Sequence, residues 1–288
     1  MSDMQDMEAW GFTDDRGTAL EAVRAPRRVV AYVRAGAALL DLGVTPVAVY
    51  GSGHDGDTLD PVKAGRLAEA GVPYLGPGRA LDAARLADLR ADVVVDVTYD
   101  GKSAYALDEG VPEGAGVPLV ALSVGNELAL AAILGRFGEL AGALGAVAGA
   151  GGGGDVGGLA AAEAALRGTA SEVDVAVLAL SGAGAGQVHL ARPHAWPELV
   201  RLQELGVRVV DPGPGPGANW LTADRERVAA LRPGLVLFDS REHAVGAGAF
   251  PSPGGARVAP WNPETPPSSL AYAAFFLELA EALRRAAA

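Results

Sequence analysis

The sequence predicts an α/β protein of two lobes, the first built on a doubly wound parallel sheet. Three observations carry this expectation. Short β-branched runs alternate with helix-like stretches up to about residue 140, the alternation restarts near residue 173, and residues 145–158 in between are almost entirely glycine and alanine. Alternation of this kind builds parallel sheets, because a parallel neighbour is reached only through a crossover helix. A chain of 288 residues is long for one domain and suits two.

The elements follow in order. Residues 28–33 form a first strand, and Ala35–Leu42 a helix stopped by Gly43. Val44–Tyr50 leads into a Gly/Asp-rich loop, Val93–Val97 follows the helical Ala80–Arg90, and Leu119–Ser123 precedes the helical Glu127–Leu140. Ala129–Leu144 and Leu159–Leu166 are rich in strong helix formers. These stretches predict an N-terminal lobe over 1–126, a helical connector with a glycine-rich insertion over 127–170, and a C-terminal lobe over 171–288. In that second lobe the expected strands are Val173–Leu180, Gln187–Ala191, Val207–Val210, Leu235–Phe238 and Arg257–Ala259. The expected helices there are Trp196–Leu205, Asp224–Leu231 and Leu270–Arg285. The last carries Tyr272, Phe275, Phe276 and Leu277, read as a core-facing apolar set.

Half of the residues are hydrophobic and a fifth charged, which suits a packed core. A net charge of −12 argues against a nucleic-acid partner, which would demand clustered cations. With no cysteine, thiolate metal sites, iron–sulfur ligation and a cysteine nucleophile are excluded. Residues 1–7 are acidic and lack the apolar run of a signal peptide, so the sequence as written predicts a cytoplasmic location, or an extracytoplasmic one if a leader was removed.

Ser181–Gly186 superficially resembles a dinucleotide-binding glycine motif. The alternating Gln187–Ala191 that follows is a strand, whereas phosphate binding needs a helix N-terminus there, so a turn or hairpin is the reading. Among the four histidines, His54, His194 and His243 fall in loops, and Asp55, Asp239 and Glu242 offer carboxylates for a bare metal ion. No two histidines have helical ligand spacing, and scattered surface histidines are the simpler account. No motif supplies a nucleophile with its base, which leaves an enzyme as the weakest reading. Strand-end aromatics are more informative. Tyr99, Trp196, Trp220 and Trp261 suit an amphipathic ligand, since each buries apolar area while keeping one polar edge.

Phe12-Thr13-Asp14-Asp15-Arg16-Gly17, then Pro26–Ala31 and Leu39–Val47, resemble the opening of the class III solute-binding proteins of ferric siderophores and cobalamin. Leu89-Arg90-Ala91-Asp92, Glu204-Leu205-Gly206-Val207 and Leu231-Arg232-Pro233-Gly234 resemble the family's repeated strand-entry signature. The resemblance runs from about Gly11 to the C-terminus. It implies two Rossmann-like lobes joined by one long helix, a small-molecule metal chelate held in the cleft between them, no catalysis and no cofactor. It also implies ligand contacts from loop Arg, Tyr and Trp side chains. Arg34, Tyr99, Trp220, Arg241 and Trp261 occupy comparable strand-end positions, and His54, Asn126 and Trp196 complete the candidate contacts. Family members that serve an ABC permease carry a docking glutamate on each lobe. Glu226 matches the second, whereas Ala84 stands at the first, with Asp82 and Asp88 nearby. With Arg34 and Arg241 the only arginines placed at strand ends, a neutral or hydroxamate-type iron–siderophore-like complex is the expected ligand.

Overall fold

A computed structural model describes residues 9–146, 156–184, 186–246 and 255–288. The chain divides into two compact units. The first comprises 1–125, 131–155 and 266–268, and the second 126–130, 156–265 and 269–288. Most of the predicted glycine-rich insertion, 147–155, lies outside the described residues.

The first unit opens with a hairpin of β1 (Trp10–Thr13) and β2 (Ala19–Ala22), which the strand count from sequence omitted. Its turn explains the Thr13-Asp14-Asp15-Arg16-Gly17 motif. Asp14, 4 % exposed, accepts from the amides of Arg16, Thr18 and Ala121. Asp15 accepts from the Ser123 amide and from Arg136. The paired aspartates thus staple the hairpin to the last strand of the main sheet.

That sheet contains β3 (Val29–Tyr32), β4 (Ala48–Gly51), β5 (Tyr74–Pro77), β6 (Val93–Thr98) and β7 (Leu119–Ser123). All pair in parallel, in the order β5-β4-β3-β6-β7. Both β3 and β6 are buried along their whole length, as continuous Val-rich runs covered on both faces should be. The order reverses between β3 and β6, which opens a crevice at their carboxyl ends where such sheets bind ligands. Helices α1 (Val33–Asp41), α2 (Pro61–Ala64), α3 (Ala83–Asp88), α4 (Gly110–Ala115) and α5 (Leu130–Ala143) complete the connections. Asp60 and Asp82 cap α2 and α3 by accepting from Val62 N and Arg85 N.

The second unit contains α6 (Val156–Glu172), β8 (Val177–Gly184), β9 (Gln187–Ala191), α7 (Pro197–Glu204), β10 (Trp220–Ala223), α8 (Arg225–Ala230), β11 (Leu235–Asp239), β12 (Arg257–Trp261) and α9 (Ser269–Ala287). Its sheet runs β10-β9-β8-β11-β12 and is mixed rather than wholly parallel. β8, β11 and β12 are parallel, while β9 and β10 run antiparallel to their neighbours. The cause is the glycine tract read as a turn: Gly184 and Gly186 sit at φ 75° and 80°, folding β8 straight back into β9 with no crossover helix. The expected strand Val207–Val210 is reduced to a single bridge between Val209 and Val177, because β9 occupies the remaining length of that edge of β8.

The repeated strand-entry signature acquires a physical meaning. Arg90 and Arg232, immediately after the C-caps of α3 and α8, are the only described non-glycine residues with positive φ, 49° and 46°. At each the helix terminates in a left-handed residue and the chain turns into β6 or β11. In α9, Tyr272, Phe276, Leu279, Ala280 and Leu283 are buried, following the helical period. Phe275 is half-buried and Leu277 is 51 % exposed, so the apolar set read from sequence does not form one face: consecutive helical residues point about 100° apart.

Candidate ligand-binding site

In the first unit the residues following β3 and β6 meet. Arg34, expected on a loop, lies in the first turn of α1 and is 4 % exposed. Its Nη1 donates to the Tyr99 hydroxyl at 3.0 Å. Tyr99 packs edge-on against Tyr105 with ring centroids 4.9 Å apart, and Tyr105 in turn lies 5.7 Å from Tyr32. Tyr32 neighbours Tyr50 at 6.3 Å, so four tyrosines line one end of the sheet. Gly125 keeps this arrangement close, since a Cβ there would lie 2.6 Å from the Tyr99 carbonyl oxygen.

Beneath the tyrosines are two buried ionic features that sequence reading did not assemble. Lys63 is fully buried, its Nζ 2.7 and 2.8 Å from the Asp55 carboxylate oxygens and 5.4 Å from the Tyr32 ring centroid. Asp96, also fully buried, accepts from the Tyr50 hydroxyl at 3.0 Å and from the amides of Val97, Ala106 and Leu107. Burial pushes the Asp96 carboxyl up to about 6, although those four donors pull the other way. Tyr50 is held well above its ordinary value by burial and by the adjacent carboxylate. Neither group had a local signature, because Asp96 reads as one polar residue in a valine run and Lys63 as a short-helix surface lysine. His54 is exposed on the loop after β4, where its amide donates to Ser52 Oγ.

In the second unit three candidates come together. The Trp196 ring lies edge-on to Trp220 at 4.8 Å and to Trp261 at 5.5 Å, and Trp220 is 5.9 Å from Trp261. Trp220 opens β10 and Trp261 closes β12, so both belong to strands rather than to the loops expected. Trp196 is the N-cap of α7, and its Nε1 donates to the Asn219 carbonyl at 3.3 Å. Trp261 is 1 % exposed, which makes it the floor of the cluster, while Trp196 and Trp220 remain half-buried.

Arg192 holds the loop that leads into Trp220, and sequence reading missed it. Its Nε, Nη1 and Nη2 each donate to a carbonyl of the Pro-Gly loop before β10, those of Gly217, Gly213 and Gly215, at 2.8–2.9 Å. One planar fork reading three carbonyls is chemistry that lysine cannot copy. Arg192→Ala is expected to cost about 2 kcal/mol by urea unfolding. It should also expose Trp220, shifting tryptophan emission to the red, with no rescue by Arg192→Lys; unchanged emission would refute this role.

The remaining candidates are spread around the second unit. Asn126 and His194 line a cavity of about 210 Å³ together with Pro197, Val200 and Arg201. Arg241 pairs with Asp239 at 2.7 Å and with Glu264 at 3.1 Å. Glu226 is exposed in the first turn of α8, whose N-cap is Asp224. Two of the carboxylates weighed for a bare metal ion, Asp55 and Asp239, are thus each engaged by a cation within their own unit.

No family model matches the sequence, and no curated protein matches it at a significant level. Solved structures do. DesE, a ferric-siderophore receptor protein from Streptomyces coelicolor, superposes with a TM-score of 0.82 at 25 % identity, over 95 % of this chain and 97 % of that one. The heme-binding protein RhuT from Roseiflexus sp. RS-1 gives 0.63 at 18 % identity over 91 % and 99 %. The siderophore-binding protein from the fuscachelin gene cluster of Thermobifida fusca gives 0.61 at 15 % identity over 91 % and 97 %. Among the described residues no helix is long and apolar enough to cross a membrane.

Proposed function

We propose that this chain, which has the class III solute-binding protein fold, is a non-catalytic binding protein for an iron chelate of the siderophore type. The observation that carries the reading is the tryptophan trio of the second unit, an aromatic platform of the kind that grips a bulky amphipathic ligand. Its likeness in fold to a ferric-siderophore receptor over nearly the whole chain points the same way.

The charge at the strand ends favours a neutral, hydroxamate-type complex over a highly anionic catecholate. Arg241 is balanced by Asp239 and Glu264, Lys63 by Asp55, and Arg34 is directed onto Tyr99. The chain carries −12 overall, so an anionic ligand would meet an unfavourable potential with little local compensation. Any permease partner would meet the second unit at the exposed Glu226. In the first unit Ala84 offers no charge and Asp82 is occupied in capping α3, which leaves the exposed Asp88.

Tryptophan fluorescence tests the proposal. A ferric trihydroxamate at micromolar concentration should quench the emission and raise the melting temperature, because a ligand bound only to the folded state stabilises it by linkage. Absence of both effects across ferric hydroxamates, ferric catecholates, corrinoids and heme would overturn it.

A further inference from the structure

The segment from Tyr99 to Leu107 carries two of the four tyrosines across the end of the first sheet, and it is held from below by one carboxylate. Asp96 accepts from Ala106 N at 3.2 Å and from Leu107 N at 3.1 Å, while Tyr105 N donates to the Val97 carbonyl beside it. The other partners of Asp96 are Tyr50 Oη and Val97 N. All four donors are neutral. Charged groups on the surrounding elements are committed elsewhere: Lys63 to Asp55, and Arg34 on α1 to Tyr99. Asp100 is exposed at the start of the segment, where its carboxylate accepts from Thr98 Oγ1 and from the amides of Lys102 and Ser103. The titratable rings around the site are Tyr50 on β4, Tyr32 on β3, and Tyr99 and Tyr105 on the segment itself.

We propose that Asp96 is a positioning residue for the Tyr99–Leu107 segment, a buried carboxylate with no counter-ion among the described residues, whose charge sets how tightly the segment closes over the end of the sheet. Opening the segment admits water to a carboxylate that is otherwise desolvated, so ionisation favours opening and protonation favours closure. The pKa agrees with this sign. Closed, Asp96 titrates at about 6, raised from 3.8; opened into water it returns toward the lower value. Protons therefore bind the closed state preferentially. Closure is weakest above pH 6, strengthens as pH falls through 6, and levels off near 4. Between pH 7.5 and 5 the linkage amounts to about tenfold in the closing equilibrium.

Amide hydrogen exchange measured residue by residue on the intact protein tests this. After correction for intrinsic rates, Ala106 and Leu107 should become about tenfold better protected between pH 7.5 and 5. The midpoint should match the Asp96 carboxyl carbon shift, near 6. Tyr50→Phe removes a donor to the charged form and should move both midpoints upward together. Protection that is flat or falls on acidification, or a carboxyl midpoint in the ordinary range near 4, overturns the proposal. Should Tyr50→Phe fail to fold, the wild-type titration alone decides. The consequence for affinity rests on the function proposed above: if the tyrosines contact the ligand, a ferric trihydroxamate should bind more tightly at pH 5.5 than at pH 7.5. Absence of binding at every pH would remove that function and leave the exchange result standing.

Discussion

Lys63→Ala is expected to destabilise the first unit by about 3–5 kcal/mol, since it strands the Asp55 carboxylate in the interior. Lys63 is wholly buried, and Asp55, 6 % exposed, is bonded to it through both oxygens. A surface pair would contribute little, whereas breaking a buried pair leaves an uncompensated charge behind. Urea unfolding followed by circular dichroism measures the loss. The double variant Asp55→Asn/Lys63→Met should recover part of it, because it removes both charges while an amide oxygen still faces the Ser52 donors. A loss below about 1 kcal/mol for the single variant would mean that the pair is hydrated in solution. Three of the four tryptophans lie in the second unit, so their fluorescence should respond less than the dichroism.

Trp220→Ala should weaken ferric trihydroxamate binding by about 2 kcal/mol or more, and by more than Arg34→Ala does. Trp220 touches both other members of the trio, and its loss would leave the half-buried Trp196 and the buried Trp261 without the ring between them and His189. Arg34 is 4 % exposed and directed onto Tyr99, so its removal should act by displacing a tyrosine rather than by losing an ion pair with ligand. On the same ground, raising salt from 50 to about 500 mM should change the affinity less than threefold. Isothermal titration of both variants, with a salt series on wild type, makes the comparison. A larger loss for Arg34→Ala, or a steep salt dependence, would mean that the ligand is anionic.

Much of the architecture was legible in the residues. Leu119–Ser123 and Gln187–Ala191 were bounded to the residue, because each is a short apolar or alternating run framed by turn-forming positions. The switch from glycine tract to strand at residue 187 correctly argued for a hairpin and against a nucleotide loop. The hairpin at 10–22 went unread because its strands are only four residues each, with no continuous apolar run to signal them. Val207–Val210 was over-read for the opposite reason, since its β-branched residues fit a strand whose place in the sheet was already taken.

By itself, the sequence determined the α/β class, the two-part organisation and the aromatic residues proposed to contact the ligand. These follow from local periodicity, composition and side-chain type, which are properties of neighbouring residues. Only the tertiary structure decided that Trp196, Trp220 and Trp261 form one cluster while Tyr99 joins Tyr105 and Tyr32 in the other unit. The same holds for Arg192, which grips carbonyls 21–25 residues away, and for Asp96, which holds amides 10 and 11 residues on. Such partners are chosen by sheet order and register, which bring distant residues within hydrogen-bonding reach, and no spacing along the chain encodes them.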